Sequence, residues 1–183
     1  MNKRTTFYLG LIFLTLLLFS CKPVLNESEE YQIISEILNH SYGHETDDEN
    51  GLGWIDTSES YNSLRVRNHT NLRELDINIL NDYLNFNKLS EFAIEDFQNY
   101  KEWDIKKIKE YNRYRLETDS DKNNDSRYIG TIQFSSIIFN QDLDKALIYT
   151  VYYCGGECGE GLVFLFTKTD KWKIEKVESL WVS

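Results

Sequence analysis

The residue pair with the clearest chemistry is Cys154 and Cys158, two thiols four positions apart in a segment that also holds four glycines. Each thiol could be half of a disulfide, a redox-active group or a metal ligand. The segment lies between two runs of β-forming residues, so a disulfide there clamps a hairpin while the glycines supply positive-φ conformations. No helix N-terminus follows to lower a thiol pKa, and the sequence therefore favours a structural disulfide over a redox role.

Two patterns raise the question of a metal ion. His40 and His44 have the i, i+4 spacing of a helical zinc pair, to which Cys154 and Cys158 would add two ligands. Residues 119–125 alternate oxygen-bearing side chains as calcium loops do, but the closing glutamate of such loops is missing. A glycine between the histidines and oxidation of the cysteines both argue against zinc. The sequence predicts no metal and no other cofactor, with calcium or zinc dependence as an alternative.

Four basic side chains cluster within nine residues of an otherwise acidic chain: Arg65, Arg67, His69 and Arg73. Such a cluster could bind an anionic group, for example a carboxylate or a sulfate. It could equally pair with neighbouring acidic residues, and pairing is the favoured interpretation. Anion binding stays open as the functional alternative.

Sequence motifs of catalysis are missing. The chain has no Gly-x-Ser-x-Gly elbow and no His-Glu-x-x-His pair. Its 30 acidic residues offer no reason to single out two carboxylates as an acid and base pair. The sequence names no catalytic residue and favours a protein that is not an enzyme.

The first twenty-one residues indicate location more clearly than the rest indicate activity. Basic Lys3 and Arg4 precede an apolar run, Leu9 to Phe19, that ends at Ser20 and Cys21. This run is shorter than the roughly 20 residues that a membrane-spanning helix needs. The pattern resembles a bacterial lipoprotein signal, in which the cysteine receives a diacylglyceryl thioether and the chain is cut before it. The resemblance implies a lipidated Cys21, carrying acyl chains of the palmitate type, as the mature N-terminus.

Location and partners follow from this signal. Lys22 follows the cysteine in place of the aspartate that holds similar lipoproteins in the inner membrane, so the resemblance implies the outer membrane. Because the acidic chain would be repelled by anionic head groups, attachment should come from acyl chains. With Cys21 acylated, Cys154 and Cys158 are the remaining pair, and an oxidising envelope favours their disulfide. The mature chain would carry a net charge of about −12, which argues against nucleic acid as a partner. The expected partner is therefore an envelope protein or a small ligand.

The chain divides into a signal peptide at 1–20, a lipidated tether at 21–28 and one globular domain at 29–183, a length that can bury a core. Hydrophobic spacing predicts helices over about 27–39, 76–84 and 104–111 and short strands near 54–55 and 61–67. Four further runs rich in β-branched and aromatic residues predict strands at Thr131–Phe139, Ala146–Cys154, Leu162–Thr167 and Trp172–Val182. Alternation in the last run changes phase near Lys176, which predicts a β-bulge.

These elements predict an α+β fold, with N-terminal helices packed on a curved antiparallel four-stranded C-terminal meander. The helices should lie on one side of the sheet. The other, aromatic-rich side is then a core, a pocket or an oligomer contact.

Several C-terminal stretches resemble a known group: Ser135–Asn140, Ala146–Tyr149, Cys154–Gly161, Trp172–Ile174 and Leu180–Ser183. They look like the C-terminal signature of uncharacterised bacterial envelope proteins and lipoproteins. This resemblance covers roughly the last 55 residues and implies an envelope setting, but no catalytic residue.

Three functions are consistent with these observations. The first is a lipid-anchored binding or assembly module. The second is a small-molecule binder or enzyme that uses the concave face of a sheet resembling the nuclear-transport-factor-2 type, with a cavity lined by Tyr149, Tyr153, Phe164 or Phe166. The third is a calcium- or zinc-dependent surface protein.

Overall fold

The computed structural model describes residues 26–41, 63–67, 70, 72–108, 115–118, 128–156 and 158–183. The predicted signal peptide at 1–20, Cys21, His44 and His69 lie outside the described residues, as do the strand predicted at 54–55 and residues 119–125 of the calcium-like loop.

Two α-helices occur in the described part of the chain. Helix α1, Glu27–Ser41, begins after Asn26, whose Oδ1 accepts a 3.2 Å hydrogen bond from the Ser28 N–H. Helix α2, Glu74–Phe86, begins after Arg73, whose N–H donates to Asp76 Oδ2 at 3.1 Å. Asp76 is therefore the acid at the third helical position rather than the cap.

The predicted helix at 104–111 is shorter than expected. It is a single 3-10 turn, Ile105–Lys107, with Asp104 accepting from the Lys106 N–H. A second 3-10 turn, Ile94–Gln98, buries Phe97.

Among the described residues, seven strands form one mixed sheet. They are β1 (Ser63–Val66), β2 (Arg115–Glu117), β3 (Tyr128–Phe134), β4 (Ile138–Phe139), β5 (Lys145–Gly155), β6 (Cys158–Lys168) and β7 (Trp172–Val182). The order is β2-β1-β3-β5-β6-β7, with β4 also paired to β5. The pairs β1–β2 and β1–β3 are parallel, and the others are antiparallel.

The predicted α+β architecture of helices on a four-stranded antiparallel meander is wrong. The molecule is mainly β, because two strands that precede the predicted meander extend the sheet: β1 lies between β2 and β3 and is parallel to both. Parallel neighbours are joined by long connections, so periodicity within a single segment does not reveal their pairing. The run predicted at 131–139 is also interrupted, since Ser135 to Ile137 separate β3 from β4 along the same edge of β5.

Helices cover both faces of the sheet rather than one. Helix α1 packs on the first face, where a core buries Ile33, Ile34, Ile37 and Leu38 with Leu64, Val66, Ile132, Phe134, Ile148, Phe164, Phe166 and Trp172. Helix α2 and the turn around Phe97 pack on the second face, in a core that includes Leu80, Tyr83, Leu84, Leu147, Tyr149, Val151, Val163 and Leu165. Strand β5 contributes alternate residues to both cores, as its two apolar sets require.

The β-bulge predicted near Lys176 is confirmed. Leu165 pairs with Lys176 and Phe166 with Ile174, which leaves Glu175 as the extra residue. A second register shift follows farther along β7, where Leu162 pairs with Ser179 and Gly161 with Trp181. Each shift reverses the alternation, so the two together cancel: Trp172 lies in the first core, and Trp181, nine positions later, packs against the second.

Candidate functional site

The second face of the sheet is apolar over most of its area but becomes polar at β1, β2 and β3. In β1, Leu64 and Val66 enter the first core, so Ser63, Arg65 and Arg67 point to the opposite side. The same alternation in the neighbouring strands adds Glu117, Thr131 and Gln133. We call these six residues the polar face: Ser63, Arg65, Arg67, Glu117, Thr131 and Gln133.

Four residues of the polar face are buried, whereas Arg65 and Arg67 are partly exposed. Ser63 is 1% exposed, Glu117 2%, Gln133 4% and Thr131 7%. Polar side chains at this depth are normally hydrogen-bonded, since desolvation without a partner is costly. The polar face is therefore the place where this sheet departs from a simple apolar interior.

Several side chains of the polar face make hydrogen bonds or cation–π contacts. Arg67 Nη1 donates to Gln133 Oε1 at 3.2 Å. The Arg65 guanidinium lies 5.0 Å from the centre of the Tyr128 ring, within cation–π range. The hydroxyls of Tyr128 and Thr131 share a hydrogen bond. These contacts orient both arginines along the sheet.

Three atoms of the polar face are buried without a hydrogen bond: Ser63 Oγ, Arg65 Nε and Glu117 Oε1. They belong to adjacent strands, because Arg65 and Glu117 are register partners in the β1–β2 pair. The Glu117 carboxylate lies 3.6 Å from Arg115 Nε, but the Arg115 side chain is 61% exposed. One donor, one acceptor and one hydroxyl thus lie on the same side of two paired strands.

A second polar group lies next to this face, around Asp76. This carboxylate, 2% exposed, accepts from Arg73 Nε at 3.0 Å and from the Tyr149 hydroxyl at 2.9 Å. The hydrogen bond and charge of Asp76 raise the pKa of the Arg73 guanidinium. Burial raises the pKa of Tyr149, so its hydroxyl stays protonated as a donor. Arg73 thus pairs with an acid, as the favoured interpretation of the basic cluster states.

Arg73 also borders the polar face. Its guanidinium lies 5.9 Å from the Tyr153 ring centre and 5.7 Å from that of Trp181. Tyr153 pairs in register with Thr131, which in turn pairs with Arg65. The structure therefore places Arg65, Arg67 and Arg73 along one stretch of the second face.

Cys154 and Cys158 form a disulfide at the turn between β5 and β6. Gly155 has φ +152, a conformation that L side chains rarely adopt, which explains the glycine there. The disulfide closes a hairpin, as predicted, and lies at the end of the sheet beside the C-terminus, where Gly159 and Ser183 exchange two backbone hydrogen bonds.

The side chains predicted to line a cavity fill the cores instead. Tyr149, Phe164 and Phe166 are each 0% exposed, and Tyr153 packs against Trp181 with ring centres 6.3 Å apart. Cavities occur at the surface, for example a groove of about 540 Å³ along α1 that touches Tyr31, Ser35, Lys107 and Lys171.

No group of three or more His, Cys, Asp or Glu residues in the described ranges is arranged to hold a metal ion. In the same part of the chain, no helix is both long and apolar enough to cross a membrane.

Sequence reasoning singled out the arginines but missed the residues around them. Glu117, Ser63, Gln133 and Asp76 were not candidates, and Tyr149 was expected only as the lining of a cavity. The alternation Ser63-Leu64-Arg65-Val66-Arg67 and Thr131-Ile132-Gln133-Phe134 was a signal for a two-sided strand with one polar face. Which polar rows are neighbours depends on the parallel pairing of β1 with β3.

No family model, no curated protein and no solved structure matches this chain. Any function must therefore be argued from its own residues.

Proposed function

We propose that this chain is a lipid-anchored envelope protein whose domain is a binding module, and that the polar face binds an anionic group of its partner. The observation that carries this proposal is the buried row on β1, β2 and β3, where Arg65 Nε, Ser63 Oγ and Glu117 Oε1 lack hydrogen bonds. Three of the six buried side-chain atoms without a hydrogen bond in the described part of the chain lie on this one face.

Charge supports an anionic ligand. Arg65 and Arg67 face the same side of β1, and Glu117 is the acid paired in register with Arg65. Two guanidinium groups against one carboxylate leave this region positive in a chain whose net charge is −10. Guanidinium groups suit carboxylate and phosphate because their planar N–H fork matches both.

Packing supports binding rather than catalysis in a cavity. The aromatic residues that would line a deep pocket belong to two filled cores, one under each helix. Deep pockets are the usual setting for small-molecule chemistry. The partly buried guanidinium groups of Arg65 and Arg67 are better suited to recognising one anionic group of a larger partner.

The envelope location is supported by the signal at 1–20 and by Cys21. Replacing Cys21 with serine should move the protein from the membrane fraction to the soluble fraction and abolish N-terminal acylation. The matched control is Cys158→Ser, which makes the same substitution at a cysteine of the disulfide and leaves the anchor residue intact. Unchanged membrane partition of Cys21→Ser protein would contradict the anchor.

Anion binding can be measured by calorimetry on the detergent-extracted full chain, with acetate, phosphate and citrate as probes. At least one probe should bind, with an affinity that falls as salt rises. The double variant Arg65→Gln, Arg67→Gln should lose tenfold or more, whereas Lys106→Gln, an exposed lysine, should bind normally. Equal binding by all three proteins, or no binding by any, would refute the proposal.

A further inference from the structure

We propose that the outer edge of β7 pairs with β7 of a second copy of this chain, antiparallel and with Val177 opposite Val177, so that two sheets join into one. Strand β7 is the last in the sheet order, and no strand in the described ranges pairs with its outer side. An 11-residue edge strand presents a row of unpaired backbone N–H and C=O groups to which another strand can bond. This interface is separate from the polar face, which lies at the opposite end of the sheet on β1, β2 and β3.

The register of β7 is symmetric about Val177. Residues 160–168 of β6 pair without interruption with nine residues of β7, and Val177, opposite Phe164, is the middle one. Glu175 and Leu180 are the extra residues of the two bulges, one on each side of Val177. Bulges normally disturb an edge, but here each copy of β7 skips one residue on each side of the centre, so two copies stay in step and each pair shares a face. The resulting cross-strand pairs are Val177–Val177, Lys176–Glu178, Ile174–Ser179, Lys173–Trp181 and Trp172–Val182.

Charge selects the same centre. Lys176 and Glu178 flank Val177 and form an ion pair within one chain, yet their side chains remain 45% and 33% exposed. Both lie on the second face, where Lys176 Nζ donates to Asn87 Oδ1 at 3.4 Å and Glu178 is a hydrogen-bond partner of Tyr83. In the proposed register each Lys176 lies opposite the Glu178 of the other copy, so the four charges alternate in sign. Centring the pair on Lys176 or on Glu178 would place like charges opposite each other, which is destabilising.

Both faces of the sheet leave room for a further strand beside β7. On the first face, a groove of about 510 Å³ lies between α1 and β7 and is lined by residues that include His40, Ile174 and Val177. On the second face, Phe86 is 87% exposed and follows Tyr83 by one turn, on the side of α2 that reaches Glu178. An added strand would place its own Val177 beside the groove and cover Phe86. Apolar contacts on each face would thus accompany the backbone hydrogen bonds, as in other cases of strand addition.

Cysteine cross-linking tests the register, because only a residue at the two-fold axis faces its own copy. Directly opposed Cβ atoms lie about 4.5–5.5 Å apart, near enough for a disulfide. Oxidation of the full chain in its membranes, followed by non-reducing electrophoresis, should give at least about tenfold more covalent dimer for Val177→Cys than for Lys173→Cys. Lys173 is the matched control because it is exposed on the same strand, but its two copies would lie three pairs from the axis and so roughly 20 Å apart.

Charge reversal tests the same register without a new thiol. Lys176→Glu places like charges opposite each other, so sedimentation equilibrium of the detergent-extracted full chain should show a dimer dissociation constant raised at least about tenfold. Adding Glu178→Lys restores alternating signs and should restore the dimer. Lys106→Glu makes the same change of net charge at an exposed residue away from β7 and should dimerise as the parent does.

Several outcomes would overturn the proposal: a parent chain that sediments only as a monomer, equal cross-linking of the two cysteine variants, or Val177→Cys cross-linked only to a different protein. If Val177→Cys fails to fold, the charge series decides. Dimerisation that is insensitive to Lys176→Glu, or that the double variant with Glu178→Lys does not recover, shows that the two strands do not pair about Val177. None of these variants alters the polar face, so anion binding is tested separately.

Discussion

The Tyr149 hydroxyl donates a 2.9 Å hydrogen bond to Asp76 Oδ1, which joins the middle strand β5 to the first turn of helix α2. The same hydroxyl accepts from Trp181 Nε1 at 2.7 Å and so reaches the end of β7. One phenol thus links three elements that are far apart in sequence. This link also holds Asp76 where it pairs with Arg73 beside the polar face.

Removing that hydroxyl should destabilise the domain. Tyr149→Phe leaves Trp181 Nε1 and one lone pair of the buried Asp76 without partners, and such losses cost about 1–3 kcal/mol. Urea denaturation should show the loss as a lower midpoint. Tyr100→Phe is the control, because Tyr100 is 72% exposed and its hydroxyl has no buried role. Equal midpoints for both variants would show that the link does not stabilise the fold.

The hydrogen bond between Trp181 and Tyr149 requires a residue without a side chain at position 161. A Cβ at Gly161 would overlap Trp181 Nε1 and lie 2.6 Å from the Tyr149 hydroxyl oxygen. Gly161→Ala should therefore displace the indole and destabilise the domain by about 1–3 kcal/mol, the usual range for overpacking. Gly156→Ala is the matched control, since a Cβ there meets nothing within 4 Å. Thermal unfolding of the two variants makes the comparison, and an unchanged midpoint for Gly161→Ala would be the adverse result.

Trp172 anchors the start of β7 in the first core. It is 1% exposed, its ring centre lies 5.5 Å from that of Phe139, and its Nε1 donates to Glu29 Oε2 at 3.3 Å. Trp172→Ala should lower the free energy of unfolding by about 3–5 kcal/mol, because a large cavity replaces the indole.

The comparison for Trp172 is Tyr100→Ala, which removes an exposed aromatic ring and should change stability by less than about 0.5 kcal/mol. Guanidinium denaturation followed by far-ultraviolet circular dichroism measures both. A Trp172→Ala protein as stable as the parent would disprove the packing described for β7.

Alkaline pH should unfold the protein through its buried tyrosines. Burial raises the pKa of Tyr83 and of Tyr152 from 10.0 to about 12. Above pH 10 the unfolded chain releases these protons while the folded chain keeps them, so stability is fully present below pH 10 and falls as pH rises toward 12.

Denaturation midpoints measured from pH 8 to 12 test this titration. Tyr152→Phe should flatten the decline, whereas Tyr100→Phe should not. A decline of the same slope in the Tyr152→Phe protein would show that other groups cause it.

Local patterns in the sequence determined much of the secondary structure. Spacing of Tyr31, Ile34, Ile37 and Leu38 predicted the buried side of α1, because residues three and four apart share one face of a helix. Strands β5, β6 and β7 and the bulge at Glu175 followed from alternation and its change of phase. The disulfide of Cys154 and Cys158 was predicted from their place in a hairpin and from the assignment of Cys21 to the lipid anchor.

Only the tertiary structure decided how these elements pair. The place of β1 between β2 and β3, and of one helix on each face, depends on contacts between segments distant in sequence, for which alternation within a segment holds no information. The candidate site has the same origin. The sequence alone showed a basic cluster, but Glu117 stands 52 positions after Arg65 and meets it only because β1 and β2 pair in parallel. The sequence therefore determines how many charged residues the chain has. The register of β1 and β2 determines that Arg65 lies beside the buried Glu117.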